Sequence, residues 1–172
     1  MRTLFIILIS LLSIGIFAQE KPKTNITGSI DATGRITADT IAYAIFVQAD
    51  GNDPTDGTTV YFCSTPQQPA TNEINRRVVI LKSGHITAAD IVMNTTAGNA
   101  GSNEDISIYI RKNATTDYLI ETIGSTDGAR EFNNYSLNIP VTQGDIIVIK
   151  VVNPTWATEP TNVNWSGNFL VE

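Results

Sequence analysis

The chain has one cysteine and one histidine in 172 residues. A single Cys63 excludes an intrachain disulfide, so the fold has to be held by packing, by subunit contacts or by ions. A single His85 leaves general acid–base catalysis and zinc binding short of the partners they usually need. It sits in Lys82-Ser83-Gly84-His85, which reads as a solvated turn between strands. No Gly-x-Ser-x-Gly turn accompanies the serines, so no nucleophile elbow is present. Charge is sparse at 16%, and acidic residues outnumber basic ones 17 to 11. That balance argues against nucleic acid, whose phosphates demand a clustered positive surface.

One long apolar run is present, and it stands at the start. Arg2 precedes an almost unbroken hydrophobic stretch from Leu4 to Phe17, followed by Ala18 and the polar Gln19-Glu20-Lys21. The stretch falls short of the roughly 20 residues a helix needs to cross a bilayer. It therefore reads as a secretory signal peptide cut near Ala18, with no stable membrane insertion and a secreted or cell-surface product.

The remainder is rich in Thr, Asn, Ser and Gly, the residues of strands and turns. Residues 19–36 read as a flexible polar lead-in closing with a short strand, and residues 37–172 as one β domain. Ile41, Tyr43, Ile45 and Val47 alternate through a first strand, and Val60 and Phe62 mark a second. Residues 77–81 form a continuous apolar run, as expected of a strand buried on both faces. Residues 86–93 follow, then the clear alternation of Ile106, Ile108 and Ile110 against Ser107, Tyr109 and Arg111. Further strands are expected at 118–123, 135–139, 145–152 and 169–171, with loops at 96–103, 124–130 and 154–167. About nine short strands and no capped helical period predict an all-β, antiparallel two-sheet sandwich of jelly-roll type.

Several residues are candidates for chemistry. Asp50, Asn52, Asp53 and Asp56 lie in one Gly-punctuated segment, and oxygen-rich loops of this kind suit Ca²⁺. Their spacing is not that of an EF-hand, and the same residues build tight turns. Asn99, Asn103, Glu104 and Asp105 form a second, sparser candidate. No cofactor is required by these residues, and Ca²⁺ is the one ion they could serve. Trp156, Trp165 and Asn164 are the candidate ligand-binding residues, since an exposed ring beside an amide suits a sugar. The rival reading, which we favour, makes the two rings structural, capping the sandwich or filling a subunit interface. Cys63, within Thr59-Val60-Tyr61-Phe62-Cys63, reads as a buried apolar residue. Asp105 and Glu121 are the carboxylates a polysaccharide hydrolase would have to pair. Asn-x-Ser/Thr sequons occur in a chain whose signal has bacterial character, so no glycosylation is expected.

Four segments carry a family resemblance: Ile108-Tyr109-Ile110-Arg111-Lys112-Asn113, residues 137–150 (LNIPVTQGDIIVIK), residues 152–160 (VNPTWATEP), and Gly167-Asn168-Phe169-Leu170-Val171-Glu172. Together they resemble bacterial and phage-associated jelly-roll domains at the ends of tail-fibre-like proteins. More distantly they are similar to C1q/TNF-like sandwiches. The resemblance implies a homotrimeric binding head, with no catalytic residues, that recognises a surface glycan or protein. The signal peptide fits a secreted bacterial relative better than part of a phage particle. An alternative is the subunit of an extracellular filament or matrix, with residues 19–34 donated to a neighbouring sheet.

Overall fold

A computed structural model describes residues 28–30, 36–38, 42–52, 55–64, 67–95, 104–124 and 128–172. The expected signal peptide and most of the expected lead-in lie outside them. The chain divides into two compact units, residues 1–40 and 41–172. In the first unit β1 (Gly28–Ile30) pairs antiparallel with β2 (Ile36–Ala38).

Among its described residues the second unit is all β apart from one 3₁₀ turn at Glu73–Asn75. Its strands are β3 (Tyr43–Asn52), β4 (Thr59–Phe62), β5 (Val78–Val79), β6 (Gly84–Thr95), β7 (Asp105–Lys112), β8 (Thr116–Gly124), β9 (Gly128–Asn134), β10 (Ile139–Val141), β11 (Ile146–Val152) and β12 (Val163–Val171). They form two antiparallel sheets packed as a sandwich. In the first, β3 lies beside β12, β12 beside β6, and β9 and β10 follow one another along the far side of β6. In the second, β4 and β5 share one side of β11, with β7 and then β8 on the other.

Alternation decides which residues face inward. Ile106, Ile108 and Ile110 on β7 and Ile147, Ile149 and Val151 on β11 are buried from one sheet. Val47, Ile91, Met93, Phe132 and Phe169 meet them from the other. Phe62 stacks on Trp165 with centroids 5.6 Å apart, and Phe132 lies 6.2 Å from the same indole. Each such aromatic contact adds to the area its rings bury. Cys63 is buried in this core, and burial pushes its thiol up to about 12.

The structure corrects the strand reading in several places. The apolar run 77–81 contributes only the two-residue β5, with Val79 51% and Leu81 77% exposed. It runs along a sheet margin, where only one side of the strand meets protein. β9 begins within the expected loop 124–130, residues 135–138 of the strand expected at 135–139 lie outside any strand with β10 starting only at Ile139, and β12 begins six residues before the expected start at 169. His85 lies in β6 rather than in a turn, exchanging backbone hydrogen bonds with Glu172 (2.7 and 2.9 Å).

Candidate functional site

The outer surface of β3 and β12 carries a shallow depression of about 370 Å³. Its walls follow from the pleat. Val47 and Ala49 point into the core, so Phe46 and Gln48 point out. Trp165 and Phe169 point in, so Ser166 and Asn168 point out. The register sets Asn168 beside Phe46 and Ser166 beside Gln48, making a square of four outward side chains. The Gly167 backbone and Ser64 complete the lining. The Phe46 ring is 72% exposed.

The lining is therefore one open aromatic face, two amides and two hydroxyls, without a charged group. Gln48 donates to Asp50 Oδ1 at 3.3 Å, which holds its amide in place. One strand further across, Asp90 stands in register with Asn168. Its Oδ1 is buried and makes no hydrogen bond among the described residues. The Tyr135 phenol is pushed up by desolvation and by the carboxylates of Asp90 and Glu131, the former hydrogen-bonded to it. Such a surface can cover the C–H face of a neutral polyhydroxylated ligand and satisfy its hydroxyls. It holds no nucleophile–base pair.

The residues singled out from sequence lie elsewhere. Trp165 is 3% exposed and Trp156 6%, so neither ring offers a face to a sugar. Trp165 completes the core aromatic stack, and Trp156 is fixed at the end of the sandwich, where its backbone N–H donates to Asp56 Oδ1 at 2.8 Å. Asn164 accepts from the Gly51 N–H at 2.7 Å, which ties β12 to the end of β3. Both rings are enclosed and Asn164 is held by the Gly51 N–H, so these candidate residues form no exposed platform.

The described members of the candidate Ca²⁺ loop do not converge. Asp50 receives Gln48, Asp56 caps the Trp156 backbone, and Asn52 ends β3, while Asp53 lies outside the described residues. Among the described residues no three His, Cys, Asp or Glu side chains are grouped to hold a metal. Glu104 accepts from the Ala157 N–H, and Asn99 and Asn103 are outside the described set. Asp105 and Glu121 pair with Gly124 and Ile108. That places them three positions apart along β7, roughly 10 Å. Glu121 also accepts the Asn133 N–H at 2.8 Å.

No protein-family model matches the chain, and no curated protein sequence matches it. The site must be read from its own chemistry.

The outer surface of the second sheet differs in kind. Glu73 receives Arg77 and also Arg111 (2.9 Å), Arg111 reaches Asp117 (2.7 Å), and Asp117 receives Lys150 (2.6 Å). Arg111 lies over the Tyr61 ring at 6.0 Å and Lys150 over Tyr109 at 5.3 Å. Each charge in this ladder already faces an opposite one, so it fastens the 3₁₀ segment onto the sheet. Burial would raise the Asp117 carboxyl, but hydrogen bonds and charge from Lys150 and Arg111 outweigh it and hold the group below its ordinary value.

Phe46 was the residue that sequence reasoning passed over. Its signal was present: it falls out of phase in Ile45-Phe46-Val47, so a large ring had to stand on the wet side of an edge strand.

Proposed function

We propose that this chain is a secreted, non-enzymatic binding module that takes a surface glycan at the Phe46 depression. The exposed ring framed by Gln48, Asn168, Ser64 and Ser166 carries the reading. A neutral wall of amides and hydroxyls around one aromatic face suits a sugar better than a charged ligand or a reacting substrate. The N-terminal apolar run with its small-residue cut supports export. Among the described residues no helix is long and apolar enough to cross a membrane. The strands pass back and forth between the two sheets, with the first and last of the domain side by side, which supports a jelly-roll reading.

The test is a glycan array followed by titration calorimetry on the strongest binder. Phe46→Ala should weaken binding at least 10-fold while leaving the melting temperature within about 2 °C, because the ring is exposed. A chain that binds no glycan, or binds equally well without the ring, refutes the assignment.

A further inference from the structure

The two sheets have four margins, and three of them are protected. The β4 side is bridged by Ala70, which exchanges both backbone hydrogen bonds with Tyr61 (2.8 and 3.0 Å). The β10 side carries Pro140, whose carbonyl is occupied by Lys112 Nζ at 2.8 Å. The β8 side carries Glu121, which takes up the Asn133 N–H of β9. Proline, charge and covering segments are the devices by which proteins keep sheet edges from pairing.

The β3 margin is met at Gln48 by Cys63, and among the described residues it carries none of these between Tyr43 and Val47. Gln48 sends its N–H away from β12, to Cys63 O at 2.8 Å. Alternation along an antiparallel strand then sends the N–H and C=O of Ala44 and Phe46 the same way. Neither residue has a partner on that side among the described residues. Ala44 and Phe46 are also exposed. Among the described residues this stretch of the margin is uncovered, and its side chains are uncharged and apolar.

We infer that this edge pairs with the same edge of a second copy, joining two first sheets into one continuous antiparallel sheet. A two-fold register with Ile45 on the axis sets Phe46 of each copy against Ala44 of the other. It uses every free backbone group of both residues in four hydrogen bonds, and the large ring meets a small neighbour. No like charges face each other, which removes the usual obstacle to an edge meeting its own copy. The contact is isologous and closes on itself, so it ends at two copies rather than growing into a fibre. It replaces the three-fold assembly that the C1q/TNF resemblance implies. Ala44 does not line the depression, so pairing is testable without disturbing the glycan surface.

The contact is short, so dissociation in the region of about 10 µM is expected, at the weak end of specific interfaces. Sedimentation of residues 19–172 should show the mass of two copies at high concentration. Ala44→Pro removes one N–H per copy and costs no bond to β12, since that N–H points outward. It should raise the dissociation constant roughly 30-fold. Ala44→Asp should abolish pairing, because it sets a carboxylate against the Phe46 ring of the other copy and a poor strand former in the paired stretch. Amide exchange on the unaltered chain gives a readout independent of any variant: Ala44 and Phe46 should become more protected as concentration rises. A mass of one copy at about 300 µM or of three copies overturns the inference, as does pairing that survives both substitutions. Protection of both amides at every concentration overturns it too, because the chain's own leading segment would then occupy the edge.

Discussion

Gly167 stands where β12 passes closest to β6, and adding one methyl group there tests the packing of the first sheet. A Cβ at this position would lie 2.1 Å from the Asp90 carbonyl oxygen and 2.8 Å from Ile91 Cα. Both obstacles are backbone, so no side chain can swing aside. Reaching an ordinary carbon–oxygen contact requires β12 to move about 1 Å from β6, which stretches the neighbouring ladder bonds past their useful range. Two weakened bonds at about 1 kcal/mol each and an overpacking cost of about 1–3 kcal/mol give roughly 3–5 kcal/mol for Gly167→Ala. Gly144 provides the comparison. Its φ is +93° in the turn closed by the Asp145 N–H on Thr142 O at 2.9 Å, and nothing lies within 4 Å of its missing Cβ. Gly144→Ala therefore carries only the left-handed backbone cost of about 1–2 kcal/mol. Urea unfolding followed by far-UV dichroism separates the two. With a slope of about 2 kcal/mol per molar, the midpoint should fall by about 2 M for Gly167→Ala and by 1 M or less for Gly144→Ala. Equal shifts, or a smaller one at Gly167, would falsify the close approach of the two strands.

Three further outcomes are expected. Ala114 holds φ +60° in the hairpin turn closed by Thr115 N–H on Lys112 O, so Ala114→Gly should stabilise the domain by about 0.5–1 kcal/mol in the same assay, and a loss of stability would contradict this. The Asp117 carboxyl is held below its usual range, so its contribution is complete above about pH 4 and is lost as pH falls through the folded value. The destabilisation caused by Asp117→Asn should accordingly shrink between pH 6 and pH 2; a gap independent of pH would remove the ion ladder from the account. Finally, both indoles and the Cys63 thiol are enclosed. Tryptophan emission should be blue-shifted and unaffected by a bound glycan, and a thiol reagent should modify Cys63 only as the domain unfolds; quenching by ligand would return Trp156 or Trp165 to the binding surface.

The sandwich was legible wherever every second residue had to be apolar. Ile106, Ile108 and Ile110, and the run through β11, announce themselves because one side of each strand meets the core. β9 did not, since among its described side chains only Phe132 is buried. The first half of β12 was hidden because Asn164 and Ser166 interrupt Val163 and Trp165 in the manner of a loop, although they are the outward members of a strand. The run 77–81 misled in the other direction, being apolar at a margin that leaves Val79 and Leu81 exposed. For the site, composition pointed to the rarest and largest rings, but ring size does not tell which side of a sheet a ring takes. Phase does, and it separates Phe46 from Val47. The ladder from Arg77 to Lys150 joins four separate segments, so it becomes visible only once the registers of β7, β8 and β11 are known.

β12 is made after every other strand of its sheet and lies within it, flanked by β3 and β6. Until residues 163–171 emerge, β3 has no neighbour in its sheet and β6 lacks one side. At roughly 5–20 residues per second the chain spends on the order of 10–30 s in synthesis without the element that lets this sheet close. Time, more than sequence, then separates an open chain from a folded one. A sheet that receives its keystone after all its other strands stays open for as long as those strands are being made.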